Sequence, residues 1–184
     1  SPLTVCPTDY SKLWANPTPQ GSLAIYGNTL NPDIKIFWTG DVVCSDLTPE
    51  TMEWINSRIK RPAYYWWNYP VQDYVRNFIL QGPAYGLDTS LTKDDVCGVI
   101  SNPMEHGEAS KLALYGVADY AWNIANYNPI DNWERGLNWL LKQKMLTAHS
   151  LSIPVIQKTV IDGMNRGKPR PSGLPTGMML LLRL

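Results

Sequence analysis

Four short apolar runs, each followed by a cluster of polar and aromatic residues, constrain this chain more than any other feature. Leu3 to Val5 leads into Cys6-Pro7-Thr8-Asp9-Tyr10, Ile34 to Phe37 into Trp38-Thr39-Gly40-Asp41, Ala63 to Tyr65 into Trp66-Trp67-Asn68-Tyr69-Pro70, and Val96 to Ile100 into Ser101-Asn102-Pro103-Met104. The runs are too short for helices and rich in β-branched and aromatic residues, so they read as buried strands. They recur at roughly 30 residues, the length of one β-loop-α unit. Parallel α/β folds gather ligands at the carboxyl ends of their strands, where loops from several units meet. The expected fold class is therefore α/β, with a sugar-sized, aromatic-walled pocket where the four clusters converge.

Helix signals fill the intervals. Leu23 to Leu30 suits a short helix stopped by Asn31-Pro32. Thr48-Pro49 is an N-cap with proline at the first helical position, Met52, Ile55 and Ile59 form one apolar stripe, and Lys60-Arg61-Pro62 closes that helix. Asp73 to Leu80 is predicted helical, ended by Gln81-Gly82-Pro83, with a long loop through Gly86 and Asp88 leading to the fourth strand. Glu105 to Trp122 is the strongest helix, with Ala109, Leu112, Ala113, Leu114, Val117 and Ala121 as its buried face. A last helix from about Asp131 to Met145 carries Trp133, Leu137, Leu140 and Leu141. A whole eight-stranded barrel takes about 250 residues. Four strand-helix units in 184 residues predict a partial (β/α)8 TIM barrel with an extra C-terminal helix.

Composition narrows the partners. Lys plus Arg is 16 and Asp plus Glu is 16, so no net field favours nucleic acid or an anionic membrane surface. No run approaches the roughly 20 apolar residues that span a bilayer, and the chain opens at Ser1 without a signal peptide, which reads as a trimmed start. Cys6, Cys44 and Cys97 are widely spaced, so neither a metal site nor a disulfide framework is indicated, and no cofactor is implied. Cys97, inside a strand, reads as a small buried hydrophobe. Only 17% of residues are charged, yet 8 Trp and 10 Tyr stand against 2 Phe, a bias toward rings with a polar handle. Such rings stack on the C–H face of a sugar and hydrogen-bond its rim, although filling a core is the commoner role for any single ring.

These residues resemble the family 84 glycoside hydrolases, which include bacterial β-N-acetylglucosaminidases and the O-GlcNAcases. The matching strings are Cys6-Pro7-Thr8-Asp9-Tyr10, Trp38-Thr39-Gly40-Asp41, Trp66 to Tyr74, Gly82-Pro83 with Tyr85-Gly86-Leu87-Asp88, and Asn102-Pro103-Met104-Glu105-His106, running from about Leu3 to Trp139. The resemblance implies that residues 1–128 are the second half of a (β/α) barrel catalytic domain, strands five to eight. Residues 129–148 would be a C-terminal helix packed on it, and 149–184 an irregular tail unlike the family. That tail, Gly- and Pro-rich before Met178 to Leu184, reads as a linker with a docking segment or the product of a frame change.

The family's mechanism is substrate-assisted: the sugar's acetamido oxygen attacks its own anomeric carbon, one aspartate polarises the acetamido group, and the next acts as acid and then base. That adjacent aspartate pair ends strand four and is expected upstream of Ser1, so no catalytic residue is expected within this chain. The resemblance makes Cys6, Tyr10, Thr39, Val43 and Trp66 the walls around the acetamido group, and Asn68, Asp73 and Asn102 the binders of polar groups. A carboxylate accepts two hydroxyl donors and a carboxamide both donates and accepts, which suits that task. Asp73 equally fits a first-turn helical acid, and Asn102-Pro103 a strand-ending turn. Asp94-Asp95 precedes a strand instead of ending one and reads as solvated loop. Asp41 reads as a loop-bonding residue, and Glu105 and His106 as residues that begin a helix.

The resemblance implies an N-acetylglucosamine-bearing glycan or glycoprotein as partner, a secreted or periplasmic bacterial parent, and no turnover by this segment alone. A non-catalytic N-acetylhexosamine-binding remnant is the alternative, and a chitinase-like barrel a weaker one that lacks the W-W-N-Y-P string. A half barrel leaves two sheet edges, so a segment folding alone is expected to pair edge to edge as a homodimer or to be marginally stable.

Overall fold

The computed structural model describes residues 3–71, 73, 78–147 and 180–183. Its centre is a parallel sheet of β1 (Thr4–Val5), β2 (Lys35–Trp38), β3 (Ala63–Trp67) and β5 (Val96–Ser101), neighbours in that order. Each strand hydrogen-bonds to the one before it, as successive βα units of one barrel arc do. The expected partial barrel is what forms.

Side chains alternate across this arc because successive residues of a strand point to opposite faces. Ile36, Trp38, Ala63, Tyr65 and Trp67 are buried and share a core with Met52, Ile55 and Ile59 of α2 (Pro49–Ile59). Phe37, Tyr64 and Trp66 occupy the other face, where the Phe37 ring lies 5.3 Å from Tyr64 and 5.2 Å edge-on to Trp66. Gly98 permits this: a Cβ there would stand 1.9 Å from Tyr64 Cε2.

α2 forms as its ends predict. The Thr48 side chain accepts from the Thr51 N–H, Pro49 sits in the first turn with Glu50, and Lys60 closes the helix at φ 56°. α1 (Ser22–Thr29) is tied down from outside: the Arg61 guanidinium donates to the carbonyls of Ile59, Asn31, Ile34, Tyr26 and Leu30. One side chain thus joins the end of α1 to the starts of β2 and β3.

Several sequence expectations need correction. Residues 78–80, placed in a helix from Asp73, lie in β4 (Phe78–Gln81), which pairs antiparallel with β6 (Leu180–Arg183). Phe78, Ile79 and Leu80 are an apolar run, and the ladder with Leu180–Leu182 engages backbone that local periodicity assigns to a helix. Residues 74–77 of that expectation, and most of the tail, fall outside the described residues. The buried face of α3 (Gly107–Trp122) is Ser110, Leu112, Ala113, Gly116, Val117 and Tyr120, while Ala121 is exposed. Its stripe is turned by Tyr120, whose hydroxyl donates to the Asp88 carbonyl at 2.6 Å and whose ring meets Tyr127 edge-on.

α4 (Pro129–Thr147) packs against α3 through Asn132 Nδ2 and Arg135, both on the Asp119 carboxylate at 2.9 and 2.8 Å. Cys97 is only half-buried. Among the described residues no helix is long and apolar enough to cross a membrane.

Candidate functional site

The loops leaving β1, β2, β3 and β5 meet at the carboxyl end of the sheet. The first two are zipped together: Thr39 N–H donates to the Tyr10 carbonyl at 2.9 Å, Lys12 N–H to Gly40 at 3.0 Å, and Leu13 N–H to Asp41 at 2.9 Å. The Thr39 hydroxyl lies within reach of both the Tyr10 and Val42 carbonyls, at 3.3 and 3.0 Å. Buried Thr39 therefore fixes Tyr10 beside the loop that carries Val43.

That loop turns at Gly40, φ 102°, a conformation that side chains with a Cβ rarely adopt. Inside the turn lies the Tyr65 hydroxyl, 3.0 Å from the Thr39 carbonyl and 2.9 Å from that of Ser45. Its single proton is shared between the two ends of the loop. Burial first, then the carboxylates of Asp46 and Asp41, pushes Tyr65 ionisation far above the ordinary tyrosine range. Ser45 Oγ accepts from Val42 N–H at 2.8 Å and completes the ring of bonds.

Asn68 links this loop to the next two. Its Nδ2 donates to the Val43 carbonyl at 2.6 Å, while its Oδ1 accepts from Trp66 Nε1 at 3.0 Å and Asn102 Nδ2 at 2.9 Å. Asn102 is also held through its backbone N–H on the Trp67 carbonyl at 3.0 Å. Tyr69 braces the same corner, its hydroxyl on the Gly82 carbonyl at 2.6 Å and its own carbonyl accepting from Ser101 Oγ. Burial raises the Tyr69 pKa to about 12.

Asp73 is exposed and close to Cys44, whose thiol is held up first by burial and then by that carboxylate. Cys6 follows β1 with its thiol toward the Pro7 carbonyl at 3.8 Å, and burial raises its pKa. The chain thus brings Tyr10, Thr39, Val43, Trp66, Asn68 and Asn102 into one bonded cluster, leaves exposed Asp73 near enough to Cys44 to act on its thiol, and places exposed Cys6 just beyond β1.

The residues set aside lie elsewhere. Asp95 caps its own turn, accepting from Thr92 N–H and hydroxyl at 2.8 and 2.7 Å at the start of β5, away from the strand tips. His106 is the exposed N-cap residue of α3. Asp41 takes its contacts from Lys12 at 3.8 Å and Thr51 Oγ1 at 3.4 Å. Tyr65 and Ser45 shape the site but escaped the sequence reading, because Tyr65 occupies a helix-facing position of β3. The one signal for it was alternation, which puts a polar hydroxyl on a buried face that must find a partner. Among the described residues no three His, Cys, Asp or Glu side chains gather as metal ligands do.

The cluster stands at the carboxyl ends of parallel strands, where α/β barrels place their ligand sites. The family model described as beta-N-acetylglucosaminidase matches residues 1–152. Protein O-GlcNAcase of Rattus norvegicus is 32% identical over 128 residues, 68% of this chain but 14% of that protein's length. Among solved structures, a mutant of the Thermobaculum terrenum O-GlcNAc hydrolase superimposes with a TM-score of 0.64 at 31% identity, covering 89% of this chain and 38% of its own. A second family 84 structure gives 0.69 at 33% identity, over 74% of this chain and 23% of its own. A family match across most of the chain makes it a member of the β-N-acetylglucosaminidase family, glycoside hydrolase family 84.

Proposed function

We propose that this chain forms the sugar-binding half of a retaining β-N-acetylglucosaminidase that removes terminal N-acetylglucosamine from a glycan or glycoprotein. The observation carrying this is the bonded cluster of Tyr10, Thr39, Val43, Trp66, Asn68 and Asn102 at the carboxyl end of four parallel strands. Tyr10, Thr39, Val43 and Trp66 form apolar and aromatic walls suited to an acetamido methyl, with Cys6 beside them, while Asn68, Asp73 and Asn102 supply polar contacts to hydroxyls. In the reaction, the acetamido oxygen bonds to the anomeric carbon as the aglycone oxygen leaves and takes a proton from an acid. The amide N–H proton of the resulting oxazolinium is held by the polarising aspartate; water then opens the ring at that carbon, giving its proton to the group that served as acid, now acting as base, with net retention. The aspartate pair for these steps is assigned to residues N-terminal to this segment, and this segment holds the sugar.

Calorimetry or ligand-observed NMR on this chain should find N-acetylglucosamine bound in preference to glucose, and equal affinity for the two sugars would refute the pocket assignment. Hydrolysis of an aryl N-acetyl-β-glucosaminide by this chain alone should be undetectable. Turnover would show that the acid and base lie within these residues. β1 and β5 each have one neighbour among the described strands, so edge-to-edge homodimerisation goes with this reading. A monomer in sedimentation that melts cooperatively would count against the dimer alone.

A further inference from the structure

The two ends of a carboxamide have nearly the same shape, yet one only accepts hydrogen bonds and the other only donates. Which end faces a ligand decides what that ligand must offer. At this site the neighbours fix the choice. The Trp66 indole N–H can only donate, and it faces Asn68 Oδ1 at 3.0 Å. The Val43 carbonyl can only accept, and it faces Asn68 Nδ2 at 2.6 Å. Both neighbours demand the same orientation of Asn68. The second lone pair of Oδ1 then takes Asn102 Nδ2 at 2.9 Å, so Asn102 is held with its nitrogen inward. Flipping Asn102 would set two oxygens at that distance, each acceptor-only. Among the described residues nothing donates to Asn102 Oδ1.

We infer that Trp66 is a positioning residue as well as a wall: together with the Val43 carbonyl it orients Asn68, which turns Asn102 into a hydrogen-bond acceptor, so the site selects a sugar hydroxyl that donates a proton there. The ligand side of this inference rests on the proposed sugar-binding function; the orientation relay does not.

The relay is tested by NMR of the labelled chain. With Asn102 Nδ2 inward, one of its two amide protons is protected and the other exchanges freely, and equally fast exchange of both would overturn the relay without any variant. Trp66→Phe keeps a ring beside Phe37 and deletes the N–H. It should shift the Asn102 carboxamide signals and speed exchange of the protected proton about tenfold. Unchanged Asn102 signals in a folded variant would also overturn the relay.

On the ligand side, N-acetylglucosamine is compared with its 3-, 4- and 6-fluoro analogues, since fluorine cannot donate. At one position the analogue should bind about tenfold more weakly; Trp66→Phe should shrink that penalty, and Asn68→Ala, which releases Asn102 Nδ2, should bring the analogue close to parity with the parent sugar. Asp73 is also an acceptor, so a penalty that persists in full in Asn68→Ala belongs to it and overturns the assignment to Asn102. Equal binding of all the fluoro analogues by the unsubstituted chain would refute the acceptor assignment. Failure of the parent sugar to bind would refute the functional reading while the amide signals still decide the relay.

Discussion

Tyr65→Phe removes one oxygen from the middle of the site loop and leaves the ring in place. Tyr65 is fully buried, and its hydroxyl holds the Thr39 and Ser45 carbonyls together from 3.0 and 2.9 Å. With one proton shared between two acceptors, the substitution deletes about one net hydrogen bond, about 1 kcal/mol. The carbonyl of Thr39, a residue only 5% exposed, then lacks a partner inside a closed turn. An unsatisfied buried acceptor adds about 1–2 kcal/mol, whereas half-buried Ser45 can turn to water. The expected loss is about 2–3 kcal/mol in urea unfolding, with faster amide exchange at Val42 and Val43 and weakened sugar binding. A loss below about 0.5 kcal/mol with unchanged exchange would mean that the Ser45 Oγ bond to Val42 N–H and the Asn68 bond to Val43 hold the loop unaided, refuting the role given to Tyr65.

Arg61→Met should destabilise by about 3 kcal/mol in chemical denaturation, because five carbonyls lose one charged donor and only the exposed ones regain water. Gly40→Ala should cost more than about 2 kcal/mol: the backbone is strained for alanine, and the new Cβ would meet Ser45 Cβ at 2.6 Å and Tyr65 Oη at 2.8 Å. The pH profile of stability should break on the alkaline side. Tyr69 rises from 10.0 to about 12 on folding, and Tyr65, Tyr120 and Tyr127 are raised too, all chiefly by burial. The unfolded chain therefore ionises first, so this stability is intact below pH 10 and drains away as pH climbs through about 12. Thermal melts from pH 8 to 12 check this, and a flat profile would contradict the burial of these hydroxyls.

What the sequence made legible was what short-range chemistry decides. The cap and stop signals of α2 and the β-rich runs describe local backbone, and the observed elements follow them closely. The strand tips were legible for a different reason: the strings after each run carried a family likeness, and parallel topology brings those ends together. Long-range pairing was not legible. β4 is decided by Leu180–Arg183, about a hundred positions away, and the turn of α3 by a loop whose course no helical periodicity encodes. Trp66 and Trp67 read as residues following a strand, but they belong to it, because β5 extends the ladder to Ser101.

That extension changes what the site is. Tyr65, Trp66 and Trp67 alternate across one strand, so consecutive residues do opposite jobs on the same cleft. Tyr65, on the helix side, sets the shape of the loop through Thr39 and Ser45, while Trp66, on the inner side, sets the polarity of Asn102 through Asn68. The two routes meet at Val43, whose carbonyl takes Asn68 and whose loop closes on Tyr65. Tyr65→Phe and Trp66→Phe should therefore be non-additive in sugar binding, since each loosens an anchor the other depends on. Additive losses would mean that the loop and the amide pair act as separate devices.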